Sequence, residues 1–171
     1  MKAVVVYQSL WGNTAAVARA IAEGIGPEAR ALSTAEASPE AIAGASLIVA
    51  GSPLLAFSLP TEAILKSIDS GKAKEKVPPD LSQPSMRSWL DALPRGSARV
   101  AAFETRMPWS PGGAVKDIMR RLERSGYTPL AKPELFIVKG KYGPLRDGEL
   151  ERAKAWVAQL ARAVENTSSQ A

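Results

Sequence analysis

Val4-Val5-Val6-Tyr7-Gln8-Ser9-Leu10-Trp11-Gly12-Asn13-Thr14 decides how the rest of the chain is read. A β-branched run stops at Tyr7, a short polar loop containing Gly12 follows, and an Ala-rich helix is expected from Thr14. A strand that passes through a tight loop into a helix N-terminus builds an anion site. The helix dipole and its unpaired N–H groups face one point, and Gly12 lets the backbone come close. Ser9, Asn13 and Thr14 add side-chain donors. No Lys or Arg lies between Ala3 and Ala18, so the loop is expected to hold a phosphate by neutral hydrogen bonds. That separates it from a Walker A loop, which ends in Gly-Lys-Ser/Thr, and from a Gly-x-Gly-x-x-Gly dinucleotide turn. The reading is a ligand that carries a monophosphate.

Outward from this unit, strands alternate with helices. Residues 3–7 are a near-continuous apolar run, as in a parallel strand covered on both faces. A helix follows over 14–25, striped by Val17, Ile21 and Ile25 and stopped by Gly26-Pro27. A weaker, peripheral strand is expected at 28–32, and Ser38-Pro39-Glu40 opens a short helix with Ser as cap and Pro in the first turn. Strands are expected at 47–50, 99–103 and 135–138. Helices are expected at 61–68 (Ile64, Leu65 and Ile68 inward), 114–125 (Val115, Ile118, Met119, Leu122) and 149–165. Residues 71–97 form an extended connection, with a short helix inside 82–93 carrying Met86, Trp89 and Leu90. Residues 166–171 are small and polar, a tail expected to fray. Five strands each followed by a helix predict one α/β domain over 1–165, in three layers with a doubly wound parallel sheet.

Composition narrows the chemistry. With no Cys and no His among 171 residues, disulfides, thiolate metal sites, cysteine nucleophiles and Ser-His triads are excluded. Any chemistry must come mainly from a bound cofactor. The net charge of +5 could mean nucleic acid, acidic lipid or an acidic protein. Lys and Arg are scattered, however, with local clusters only at Lys72, Lys74, Lys76 and at Arg120, Arg121, Arg124. No nucleic-acid motif accompanies them, so a solvated basic surface is expected. The first strand starts at once and no apolar run reaches membrane-spanning length, which predicts a cytoplasmic chain without membrane insertion.

The opening segment resembles the N-terminal signature of flavodoxins: Val5, Val6, Tyr7, Ser9, Gly12, Thr14, Ala18 and Ile21 fill its fixed positions. The resemblance implies strand order 2-1-3-4-5 and non-covalently bound FMN, a deazaflavin being an open alternative. In that order the ligand sits beyond the carboxyl ends of strands one and three, at the loops after Tyr7, Ala50 and Phe103. The expected cofactor-binding residues are Ser9, Leu10, Trp11, Gly12, Asn13 and Thr14 in the first loop; Pro53, Leu54, Leu55, Ala56 and Phe57 in the second; and Glu104, Thr105, Arg106 and Trp109 in the third.

Each loop departs from the family's form. Trp11 stands where a Thr is usual; it is expected to shield the ligand's phosphate end, to meet a partner, or to sit as a half-buried loop aromatic. The second loop has Leu55 where an aromatic often covers the ring. It also has no Gly near Leu55-Ala56, where the family rotates a peptide. In the third, Met107 replaces an acid and Arg106 replaces a Gly, which predicts a less negative two-electron potential, since a cation beside an anionic ring favours the anion. Trp109 is expected to stack on the flavin.

Three functions follow from the resemblance. One is a flavodoxin-like electron carrier that docks an acidic redox partner protein. Another is an FMN-dependent NAD(P)H:quinone-type oxidoreductase with a small quinone-like oxidant, its second pocket built from Phe57, Trp109 and the 71–97 connection. The last is an interaction domain that kept the fold and lost flavin.

Overall fold

The computed structural model describes residues 1–71 and 74–168. Strand β1 (Ala3–Tyr7) is buried along its whole length and pairs in parallel with β2 (Arg30–Ser33) on one side and β3 (Leu47–Pro53) on the other. Beyond β3 lies β4 (Arg99–Arg106), and the path through the sheet is β2-β1-β3-β4-β5, the expected order.

The fifth position is divided, which corrects the expectation of five strands. A two-residue β5 (Thr128–Pro129) pairs with the start of β4, and β6 (Glu134–Ile137) pairs with its end. Pro129 and Pro133 bracket the break, and a residue without an N–H cannot donate to the ladder. Strands β3 and β4 also run three residues past their predicted ends, because pairing continues through Ser52↔Glu104 and Pro53↔Thr105 after the apolar run has stopped.

Side chains alternate across the sheet and fill two cores. On one face Val5, Val49 and Phe103 pack under α1 (Asn13–Ile25) and α6 (Glu149–Ser168). On the other, Val6, Ile48 and Ala102 pack under α2 (Pro39–Ile42), α4 (Met86–Asp91) and α5 (Val115–Arg124). Helix α4 comes from the long connection and lays Met86, Trp89 and Leu90 on this core. Of the three predicted inward residues of helix α3 (Glu62–Asp69), only Ile68 is buried. Helix α6 reaches Ser168, so 166–168 continue the helix where fraying is expected, and residues 169–171 lie outside those described, as do Lys72 and Ala73. No helix among the described residues is long and apolar enough to cross a membrane.

One glycine sets the packing beneath the site. Gly51 on β3 lies beside Phe103 on β4, and a Cβ there would stand 2.0 Å from the ring. The bare backbone lets Phe103 lie across the strand, where it meets Phe136 edge-on at 5.9 Å.

Candidate functional site

The three loops meet at the carboxyl edge of the sheet. At the end of β1, Gly12 has a left-handed backbone (φ 91°) and caps α1. Ser9 Oγ accepts the N–H groups of Gly12 (3.1 Å) and Ala15 (3.2 Å). The N–H groups of Asn13 and Thr14 have no acceptor among the described residues and lie in the first helical turn, the arrangement that favours an anion. Thr14 Oγ1 and Thr105 Oγ1 are 2.8 Å apart and buried, which ties β4 to this turn and leaves one of the two hydroxyl hydrogens uncommitted.

The second loop turns back through Leu55-Ala56-Phe57-Ser58. Leu55 and Ser58 exchange N–H···O bonds of 3.1 and 3.2 Å, with φ of 48° at Ala56 and 65° at Phe57. Two positive φ values make a type I′ turn, which usually takes Asn-Gly. The third loop is zipped to it: Gly113 N–H donates to Phe57 O at 3.2 Å, and a Cβ on Gly112 would lie 1.9 Å from that same oxygen.

Between the loops lies a cleft of about 310 Å³. Ser9, Leu10, Trp11, Asn13, Thr14, Pro53, Leu54, Leu55, Ala56, Phe57, Thr105, Arg106 and Trp109 all line it. The α1 N-terminus stands at one end, Leu54 and Leu55 give an apolar wall, and Phe57 (62% exposed) and Trp109 (72%) stand open to solvent. Such an apolar slot with a few convergent donors is the usual form of a small-molecule site.

Two of the expected residues do not line it. Gly12 shapes the turn from outside. Glu104 is turned to the opposite face of β4 and fully buried, where its carboxylate accepts the N–H groups of Ala114 (2.5 Å) and Val115 (3.0 Å) at the start of α5 and pairs with Arg106 at 2.9 Å. That pairing also corrects the expectation for Arg106. Its guanidinium is held by Glu104 and by Gly112 O, so the site does not gain an uncompensated cation there, and the expected less negative potential keeps only the acid replaced at Met107 as its local ground.

Met107, singled out in the sequence only for the acid it replaces, lines the cleft too, as do Ser110, Val138 and Lys141, which carry no expectation for the site. The last two come from the segment after β6, whose only advance signal is Gly140 and Gly143 flanking Lys141-Tyr142 at a strand's carboxyl end. Gly143 packs against the Asn13 side chain: a Cβ there would be 2.5 Å from Oδ1. Lys141 Nζ lies 5.6 Å from the Trp11 ring centroid and binds Glu75 at 2.5 Å, while Tyr142 donates to Glu75 (2.7 Å) and meets Trp11 edge-on at 5.1 Å. A cation therefore stands on the cleft wall, where a cradle of neutral groups alone is expected.

Trp11 donates through Nε1 to Val77 O (3.0 Å), Asp80 N–H donates to Leu10 O (2.7 Å) and Lys76 N–H to Tyr142 Oη (3.0 Å). Residues 74–80 thus form a strap clasped between the first loop and the segment after β6. No described strap residue lines the cleft. The Arg120-Arg121-Arg124 cluster is partly neutralised, since Asp117 pairs with Arg87, Arg120 and Arg121.

Sheet order and layers are those of the flavodoxin-like fold. A flavodoxin from the domain Archaea superposes with a TM-score of 0.66 at 24% identity, over 96% of this chain and 99% of that one. Oxidised flavodoxin 1 from Bacillus cereus gives 0.65 at 17% identity, over 95% and 98%. A WrbA-like flavodoxin from Agrobacterium tumefaciens gives 0.60 at 20% identity, over 96% and 97%. At these identities the likeness is one of fold. The chain matches no family model, and no curated protein matches it.

Proposed function

We propose that the chain binds FMN in this cleft and serves as a cytoplasmic flavodoxin-like electron carrier. The observation that carries the reading is one slot with two unlike ends: uncommitted Asn13 and Thr14 amides at one, exposed Phe57 and Trp109 at the other, and an aliphatic wall between them. The residues fit a flat apolar ring system with an anionic tail. Ser9, Asn13 and Thr14 would hold the tail, Leu54 and Leu55 would exclude water, and Phe57 and Trp109 would offer stacking faces. Bound flavin supplies the one- and two-electron chemistry that a chain without Cys or His lacks.

The open aromatic end favours a carrier over an oxidoreductase. A second-substrate pocket roofed by the 71–97 connection is the alternative, but the described strap residues stand at the Trp11 end and leave Phe57 and Trp109 uncovered. A net charge of +5 suits an acidic partner protein. The test is to purify the protein, record its visible spectrum and identify any flavin released on heating. Bound FMN with no NAD(P)H–menadione turnover is the expected result. Turnover without a separate reductase would move the assignment to the quinone-type enzyme. Failure of the apoprotein to take up FMN would leave an interaction domain.

A further inference from the structure

We infer that Lys141 is the residue by which this cleft distinguishes a phosphorylated flavin from an unphosphorylated one. The inference rests on the FMN reading and goes beyond it, because the first loop contains no cation and the sequence motif assigns none. Lys141 arrives from the other end of the fold, in the segment after β6, and lines the same cleft as Ser9, Asn13 and Thr14. The close approach of Gly143 to the Asn13 side chain seats the backbone of this segment against the α1 N-terminus, two residues from Lys141.

Among the described residues two cations line the cleft, and they differ in commitment. Arg106 is only 12% exposed and is held by the buried Glu104 and by Gly112 O. Lys141 is 43% exposed and is held by Glu75. An ammonium has three donors, so two remain for an anion at the α1 N-terminus. Glu75 also accepts Tyr142 Oη–H and keeps a partner when the ammonium turns toward the cleft. Lys141 is therefore shared between the strap and the ligand's phosphate, as a point charge rather than a fixed fork.

Apoprotein is titrated with FMN and with riboflavin, following flavin fluorescence, for wild type, Lys141→Met, Lys141→Arg and Glu75→Gln. Lys141→Met should weaken FMN about tenfold or more, the scale of a lost charged hydrogen bond, with riboflavin unchanged. Lys141→Arg should restore most of the difference. Glu75→Gln, which removes the competing carboxylate, should tighten FMN and leave riboflavin as it was. Equal effects of Lys141→Met on both flavins, or none on either, overturn the assignment while FMN binding by wild type stands. Should Lys141→Met fail to fold, the Glu75→Gln ratio of FMN to riboflavin affinity decides alone, an unchanged ratio being the contrary result. If wild type takes up neither flavin, the FMN reading falls and this assignment with it.

Discussion

Ala56 and Phe57 hold left-handed backbone at neighbouring positions, φ 48° and 65°, in the wall of the cleft. An L-residue there loses roughly 1–2 kcal/mol to the contact between its Cβ and the carbonyl. The turn persists because the Leu55–Ser58 bonds and the Phe57 O–Gly113 bond over-determine it. Ala56→Gly should therefore stabilise the apoprotein by about 1 kcal/mol, after allowing for the extra freedom of glycine when unfolded; urea denaturation measures it, and a loss of stability would contradict the strain. Glu104 is the opposite case, a charge fully buried and fully partnered. Glu104→Gln keeps the shape but abandons the ion pair with Arg106, and should cost about 3 kcal/mol in the same assay. Neither residue announces its role in sequence. Ala-Phe is not turn chemistry, and an acid after Phe103 reads as a loop residue until β4 is seen to continue through it.

Strand β6 needs its outer edge closed, since a free row of N–H and C=O groups invites pairing with another chain. Helix α6 closes it: Glu149 accepts Ile137 N–H at 2.7 Å, and Arg152 donates to Leu135 O. Burial acts to raise the Glu149 carboxyl, but hydrogen bonds from Arg152, Ile137 N–H and Arg146 outweigh it and hold the group below the usual carboxylate range. A depressed folded value gives stability that is present above the unfolded value and is lost as pH falls through the folded one. Thermal unfolding between neutral and acidic pH should show this slope, and Glu149→Gln should flatten it; an identical profile for the variant would sink the account. Under β3, Gly51→Ala should destabilise by about 3 kcal/mol, because the added methyl drives the Phe103 ring out of the core shared with Phe136. Melting that variant beside wild type checks it.

Strap, first loop and β6–α6 segment form one clasp across the carboxyl edge. Trp11, Glu75 and Tyr142 join stretches of chain far apart in sequence, with Lys74 and Lys76 exposed on the strap. Tyr142→Phe removes the hydroxyl that donates to Glu75 and accepts from Lys76 N–H, so local opening should become easier by about 1 kcal/mol. Trypsin should then cut after Lys74 or Lys76 about fivefold faster, with global stability little changed. An unaltered cleavage rate would show that the clasp rests on other contacts. The 71–97 connection therefore has two parts: α4 fills the sheet face and the strap braces the α1 turn.

Local chemistry was enough to set the strand–loop–helix at Tyr7–Thr14, the alternation of strands and helices, and the three loops that meet. Apolar runs, caps such as Ser38, and stops such as Gly26-Pro27 act over a few neighbouring residues, so they can be read in order along the chain. What lay beyond reach depends on partners brought together from far apart. Pairing across strands carried β3 and β4 past their apolar runs and turned Glu104 away from the cleft. A pair of prolines divided the fifth strand. Residues 66 or 67 positions apart, Glu75 with Lys141 and Tyr142, set a cation beside a loop that has none of its own. A side chain's charge is written in the sequence, but the charge that shares its space is settled only when the chain has folded.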